Sequence, residues 1–246
     1  MSRAPEAHEF AIYFASVSTL SVGNHTITDK AIHHRITRIL RLQKNEMLVL
    51  FDRDIQVRAE IQSIDRTAIA LRVIEKKNNP TLVPSIHFLL PMLKRDAFEQ
   101  AVYGLIEAGV SEIQPVITEK THHTWGGEKE RERLQRIIIS AAEQSKCYRF
   151  AHIHEPKLLS EELGAASGVK FFFEPNGIQC IKAIEPLLST SPKKFTLLIG
   201  PEGDLTASEK EQVIAHNFSF ISLTPTILRA CQAAFAAVVM IRSIFK

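Results

Sequence analysis

The sequence is poor in cysteine, carries little net charge and has no long apolar run. Each shortage excludes something. Three cysteines in 246 residues, Cys147, Cys180 and Cys231, are odd in number and far apart. They fit neither a disulfide framework nor a zinc motif, and a reducing compartment is the simpler expectation. The histidine pairs His33-His34, His122-His123 and His152/His154 have no Cys or carboxylate at ligand spacing, so no metal is expected. The most apolar stretch, Ala233–Ile241, falls well short of the roughly 20 residues that span a bilayer. Met1–Phe10 contains Glu6, His8 and Glu9 and no hydrophobic signal core. A soluble, cytoplasmic chain with no membrane partner is therefore expected. A net charge of +3 is too mild to identify a polyanion binder, so the distribution of charge matters more than its sum. Neither a Gly-Lys-Ser/Thr phosphate loop nor a GxGxxG fingerprint is present.

What is present falls into two halves. Residues 1–75 read as a small β domain. Met47–Phe51, Gln56–Ile64 and Ala68–Ile74 are short β-rich runs with turns between them. One helix, about Thr28 to Leu40 and capped by Thr28 or Asp29, interrupts them. Strands at this spacing suggest a small barrel. Residues 76–84 are polar, carry two prolines and read as a linker. From residue 85 to 246 apolar runs alternate with helical patterns. Ile86–Leu90, Ile113–Thr118, Val169–Phe173, Thr196–Ile199 and Phe220–Leu223 read as strands. Asp96–Ala108, Glu130–Ser145, Ile178–Leu188, Ala207–His216 and Ala230–Ile244 read as helices. That alternation is the mark of a parallel sheet covered on both faces.

Three features are candidates for chemistry. In Leu197-Leu-Ile-Gly-Pro-Glu-Gly-Asp204 a buried strand stops at a glycine–proline turn before a helix. Ligands of open α/β sheets bind beyond the carboxyl ends of strands, and a glycine there lets backbone approach a ligand; a plain structural turn has the same appearance. The loop Ser222–Arg229 also leaves a strand at its carboxyl end, and its plainer reading is a connector. The third feature is basic. Arg35, Arg38, Arg41 and Lys44 have no acidic residue among them. On a helix the steps 35, 38 and 41 keep guanidinium groups on one face, while Ile36, Ile39 and Leu40 turn to the barrel. Such a stripe suits phosphates or is a solvated face.

Taken together, four segments resemble one family. They are His33–Leu42, Lys94–Lys120, Ala141-Ala-Glu-Gln-Ser145, and Leu198-Ile-Gly-Pro-Glu-Gly203 followed by Ser222–Arg229. They resemble the ribosomal small-subunit uridine-N3 methyltransferases, the RsmE family of the SPOUT class. The resemblance implies a PUA-like β-barrel that holds RNA, followed by an α/β domain whose last segment makes a trefoil knot. It implies S-adenosylmethionine as cofactor, 16S rRNA of the small subunit as substrate, and a homodimer. Carried over by position, Leu198, Ile199, Gly200, Pro201, Glu202 and Gly203, with Ser222, Leu223, Thr224, Pro225, Ile227, Leu228 and Arg229, line the cofactor site. Arg38 and Arg41 hold RNA. Glu143 and Glu202 are candidates, by position only, for accepting the N3 proton.

The chain departs from the family's usual pattern at several places. Thr226 replaces an arginine, Ala230-Cys231-Gln232 replaces Thr-Glu-Thr, and Asp204 stands where a second glycine is usual. Cys147 stands at a usually basic position, between Lys146 and Arg149. Because the arginine and glutamate are lost together, positions 226 and 231 are expected to form a coupled pair replaced as a unit.

Overall fold

A computed structural model describes residues 9–121 and 125–245. The His122-His123 pair and most of the first ten residues lie outside the described residues. Two compact units are present. The first comprises the chain up to Thr81 together with Ala142–Arg149; the second comprises Leu82–Ala141 and Phe150 onward.

The first unit holds β1 (Phe10–Tyr13), β2 (Gly23–Ile27), α1 (Lys30–His34), β3 (Met47–Phe51), β4 (Ile55–Ile64) and β5 (Ile69–Asn78). They form a five-stranded sheet in the order β1-β3-β4-β5-β2. Only the β1–β3 pair is parallel. Alternate residues of the strands point to one core: Leu48 and Leu50, then Val57, Ala59 and Ile61, then Ile69, Leu71 and Val73. Ile32 and Ile36 close the same core. On the opposite face Phe51 is fully buried, its ring 4.5 Å from that of Tyr148. Burial there pushes the Tyr148 phenol up to about 12, with the Glu9 charge adding to the effect.

The expected basic helix is shorter and differently wound. Asp29 supplies the cap, accepting from the Ala31 and Ile32 N–H groups. After α1 the chain widens into a π-helical turn over Arg35–Ile39 and stops at Leu40. Arg41 takes a positive φ of 54° and lies beyond the helix rather than on its face. Wider winding shifts the side-chain register. Ile36 stays buried, but Ile39 is 61% exposed rather than packed inward. Strand β5 runs to Asn78, into the stretch that reads as a linker.

The second unit contains β6 (Ser85–Pro91), α2 (Arg95–Glu107), β7 (Glu112–Ile117), α3 (Glu128–Ser145), β8 (His152–Ile153), β9 (Lys157–Leu158) and α4 (Leu159–Ala165). It continues with β10 (Val169–Gln179), α5 (Cys180–Ile184), β11 (Lys194–Ile199), α6 (Ala207–Ala215), β12 (Ser219–Ser222) and α7 (Ala230–Ile244). The last turn of α3 groups with the first unit. All pairings in the seven-stranded sheet are parallel, in the order β12-β10-β11-β6-β7-β8 with β9 also on β7. Consecutive residues of the central strands are buried, among them Phe171, Phe172 and Phe173 and Leu197, Leu198 and Ile199. Burial on consecutive residues requires cover on both faces, as the continuous apolar runs anticipated. Arg242 of α7 donates to the Gly109 carbonyl at 2.7 and 3.0 Å and to the Pro84 carbonyl at 2.5 Å. It thereby fixes the last helix to the start of β6 and the turn after α2. Among the described residues no helix is long and apolar enough to cross a membrane.

One segment departs from the expected helix over Ile178–Leu188. Strand β10 continues to Gln179, and only Cys180–Ile184 is α-helical, followed by a 3-10 turn over Glu185–Leu187. The strand pairs with β12, bulges after Phe173 and pairs again through Ile178 with the same residue, Ile221. Gly177 lies in the bulge with its backbone against β12: a Cβ there would sit 2.5 Å from the Ile221 nitrogen. Strands β1, β2, β8 and β9 and helix α4 went unread in the sequence. All are short, and the runs carrying β1 and β2, Phe-Ala-Ile-Tyr and Gly-Asn-His-Thr-Ile, lack the turn signals or apolar alternation that mark a strand.

The close crossing at Gly177 makes a specific demand on stability. Gly177→Ala is expected to cost about 1–3 kcal/mol, because the β12 backbone must move to admit the methyl group. Gly164 in α4 has nothing within 4 Å of an added Cβ, so Gly164→Ala should gain roughly 0.5–1 kcal/mol. Urea unfolding of the two variants checks this; equal midpoints would show that the crossing is loose in solution.

Candidate cofactor cleft

Parallel register brings three points of the sheet to one level. Phe173 of β10 pairs with Ile199 of β11 and with Ile221 of β12. The bulge of β10 beginning at Glu174 and the loops after β11 and β12, beginning at Gly200 and Leu223, therefore start side by side. Strand β6 lies next to β11, and the start of α2 comes after it. Between these segments is a cavity of about 940 Å³, near the top of the roughly 300–1,000 Å³ range of small-molecule sites.

Of the residues singled out from sequence, Ile199, Gly200, Pro201, Glu202, Leu223, Thr224, Ile227, Leu228 and Arg229 line this cavity. Leu198, Gly203, Ser222 and Pro225 are not among its lining. Leu198 is fully buried in the sheet core. The Gly203 carbonyl accepts from the Lys120 ammonium at 2.7 Å. Ser222 closes the end of β12, its hydroxyl donating to the Thr224 carbonyl. Pro225 is exposed at the loop tip.

Sequence reasoning missed the other walls: Lys94, Arg95, Asp96, Ala97 and Gln100 at the start of α2, Phe173, Glu174 and Pro175 at the bulge of β10, and Asp204, Thr226, Ala230, Cys231 and Ala233. The signal for the first two groups was available. Both lie past the carboxyl ends of predicted strands, where the α/β rule places ligands.

The first loop is braced from several sides. Gly200 lies close beneath Asp204: an added Cβ would sit 3.0 Å from its Oδ1, so the carboxylate would have to shift to admit one. Asp204 has a φ of 56°, in the left-handed region that aspartate tolerates better than most residues. This explains how it stands where glycine is usual. Its Oδ1 accepts from the Leu205 N–H, and its Oδ2 is 2.7 Å from Lys210 Nζ. Lys210 also pairs with Glu174 at 2.8 Å. Burial alone pulls the Lys210 ammonium down, and its bonds to Asp204 and Glu174 more than offset this, so its pKa is raised. Thr206 and Glu209 then form a reciprocal capping box at the start of α6. Glu209 is buried and also accepts from the Glu119 N–H.

Glu202 reaches across the cleft, where its Oε1 accepts from the Lys94 N–H at 3.2 Å. A carboxylate is favourable there, at the start of α2. Glu143, the other candidate acceptor, belongs to the first unit. Its Oε1 accepts from the Tyr13 N–H at 2.8 Å, and its Oε2 pairs with Arg35 at 2.5 Å. Arg38, Arg41 and Lys44 are exposed, whereas Arg35 is tied to that pair. The two replaced positions each have their own neighbour. Thr226 is held by Thr224, whose hydroxyl donates to the Thr226 carbonyl at 2.7 Å. Cys231 Sγ lies 3.7 Å from Gln100 Oε1. The coupling expected of 226 and 231 concerns charged side chains that this chain lacks; Thr226 and Cys231 both line the cleft. Cys147 donates its N–H to the Ser145 hydroxyl, and the neighbouring Lys146 ammonium donates to the Glu9 carbonyl. Burial lowers the Lys146 pKa, against the opposing charges of Glu9 and Glu143. Among the described residues no group of three or more His, Cys, Asp or Glu side chains could hold a metal ion.

The chain is similar over most of its length to proteins of known classification. It is 29% identical to the ribosomal RNA small subunit methyltransferase E of Synechocystis, over 90% of this chain and 73% of that one. The Rickettsia conorii protein of the same name is 26% identical over 85% of each chain. The structure matches that of ribosomal RNA small subunit methyltransferase E from Neisseria gonorrhoeae bound to S-adenosylmethionine. The TM-score is 0.82 at 23% identity, covering 97% of this chain and 98% of the other. The likeness covers both units, and so fixes the α/β fold with its parallel sheet and the mixed sheet before it. Residues 80–242, which hold the whole cleft, match the model of the RNA methyltransferase domain, and the chain belongs to that family.

Proposed function

We propose that this chain is a cytoplasmic, S-adenosylmethionine-dependent enzyme that methylates N3 of a uridine in 16S rRNA of the small ribosomal subunit. The observation that carries the reading is the cleft built where β10 bulges in register with the ends of β11 and β12. Membership of an RNA methyltransferase family and the names of the relatives support the substrate.

The residues present fit the cofactor. Ile199, Leu223 and Leu228 offer apolar walls for a base, and Gly200 leaves backbone accessible beside them. Glu174, Glu202 and Asp204 line the same cleft and complement a ligand that carries a sulfonium and an ammonium group. When bound, S-adenosylmethionine supplies a methyl already activated as an electrophile. The task left to the chain is to hold uridine N3 in line, exclude water and accept the N3 proton. Glu202 is the acceptor favoured by position. Its Oε1 is held by the Lys94 N–H, and its Oε2 has no hydrogen bond among the described residues.

In this reading the first unit holds RNA through Arg38, Arg41 and Lys44. Arg35 contributes less directly, since Glu143 engages it. The second unit is the methyltransferase domain, whose final segment makes the knot that the resemblance implies. The enzyme works as a homodimer without metal. Exposed Phe235 and Val239, one turn apart on α7, and Ile227, 83% exposed, support a partner over this surface.

Nucleoside analysis of 16S rRNA from cells with and without the protein tests the reaction directly. Loss of N3-methyluridine on deletion is expected; loss of a ribose-methylated nucleoside instead would move the target atom. At the cleft, Gly200→Val should abolish cofactor binding in calorimetry while the protein stays folded. Its added methyl groups would crowd Asp204 and the backbone beside the ligand, so unchanged affinity would remove Gly200 from the site. For RNA, the Arg38→Ala/Arg41→Ala variant should bind the small subunit more weakly and with a shallower salt dependence, losing about one unit of slope per lost phosphate contact. Cofactor affinity should not move. Identical slopes would leave the basic strip as a solvated surface.

A further inference from the structure

Lys210 does not line the cleft, yet its ammonium touches two residues that do. Nζ lies 2.8 Å from Glu174 Oε2 and 2.7 Å from Asp204 Oδ2. Glu174 begins the bulge within β10, and Asp204 ends the tight turn after β11. One ammonium thus joins the bulge of one strand to the loop that follows another. Its base is firm: Lys210 stands in α6, which Thr206 and Glu209 cap at its start. The Glu174 side chain is 15% exposed and the Lys210 side chain 28%, so solvent screens this pair only in part. Asp204 is the more exposed arm, at 56%, but its geometry is fixed. Its Oδ1 accepts from the Leu205 N–H, and the same oxygen lies over Gly200.

From this geometry we propose that Lys210 is a positioning residue for the cofactor cleft, which sets the separation of the β10 bulge and the loop after β11 by holding Glu174 and Asp204 together. Two carboxylates brought within 3 Å of one nitrogen repel each other when the cation is removed. With no ammonium between them the loops move apart, and the backbone of Gly200 leaves its place beside the ligand. The resemblance implies a glycine where Asp204 stands. Lys210 neutralises the Asp204 carboxylate and turns it into a brace. The inference rests on the cofactor reading above for its choice of ligand, but not for the geometry of the bridge.

The test uses Lys210→Met, Lys210→Arg and the double variant Asp204→Gly/Lys210→Met in the full-length protein, with S-adenosylmethionine as the ligand. Lys210→Met should weaken cofactor binding by roughly tenfold, within the range of direct pairwise couplings. The KM for RNA and kcat at saturating cofactor should stay near wild type, and the melting temperature should show a folded protein. Lys210→Arg should retain most of the affinity, since its fork reaches two carboxylates. The double variant should recover affinity relative to Lys210→Met, because the repulsion is gone. Affinity within twofold of wild type in Lys210→Met, or no recovery in the double variant, overturns the proposal. A second readout needs no ligand. Amide hydrogen exchange of residues 174–177 and 200–205 should speed up together in Lys210→Met and slow again in the double variant. Unchanged exchange overturns the bridge whatever the cleft binds. Absence of S-adenosylmethionine binding by the wild type, with the exchange effect present, instead counts against the cofactor reading and leaves the bridge standing.

Discussion

Backbone meets backbone where Gly177 crosses β12, and most of the second unit's functional geometry depends on that contact. The crossing is possible only because position 177 has no side chain, since an added Cβ would collide with Phe220 and Ile221. It lets β10 pair with β12 twice, before and after a bulge, through the same residue, Ile221. The first of those pairings fixes the level of Phe173 against Ile199 and Ile221. Once those three residues share a level, the loops beyond them share a mouth. The cleft is thus a consequence of strand register, and its chemistry is largely that of backbone and short loops. A site of this kind has no diagnostic triad of side chains, which is why no nucleophile with a neighbouring base stands out in the chain.

The two units obtain order by different means. In the first, period-two alternation gathers Leu48, Leu50, Val57, Ile61, Ile69 and Leu71 into one core, and capping by Asp29 sets where α1 begins. In the second, consecutive burial needs helices on both faces of the sheet, and polar groups then secure the loops. Glu209 illustrates how few groups that takes. One buried carboxylate completes the cap of α6 and also receives the Glu119 N–H from a separate segment. Because each buried oxygen has a donor, the desolvation of the carboxylate is offset rather than left as a cost.

The α/β half was the more legible in sequence. Its strands are apolar runs bounded by polar turns, and α7 keeps to its pattern from Ala230 to Ile244. The segments that escaped reading did so for physical reasons. The helix expected over Ile178–Leu188 carries suitable residues, but pairing of Ile178 and Gln179 with β12 outweighs local preference. Pro186 then restricts the end of that segment to a short 3-10 turn. In the basic segment, periodicity of 3.6 predicts an inward Ile39. The π-turn over Arg35–Ile39 breaks that period, and no single residue type announces such a turn. For the cleft, the Gly200 and Leu223 loops were visible because glycine and proline mark them. The start of α2 carries neither mark, and only the rule that ligands gather at strand carboxyl ends points to Lys94 and Gln100.

Charge in the cleft narrows the kind of ligand that suits it. Asp96, Glu174, Glu202 and Asp204 line it, against Lys94, Arg95 and Arg229. A nucleoside di- or triphosphate would set two to four negative charges beside these carboxylates, and phosphate sites favour a nest of N–H groups with a nearby lysine. Here the N–H of Lys94 at the start of α2 is engaged by Glu202. Of the lysines at the Gly200 turn, Lys120 is engaged by the Gly203 carbonyl and Lys210 by Glu174 and Asp204. The N–H at the start of α2 and the Lys210 ammonium are therefore answered by the protein's own carboxylates. A ligand with a net positive reacting group meets no such conflict. Its sulfonium is complemented by the acidic walls, while Ile199, Leu223 and Leu228 accept its apolar part. The internal pairing that braces the Gly200 turn thus also occupies the charges that a phosphate would seek there, so that stiffness and charge at this turn rest on one set of ion pairs.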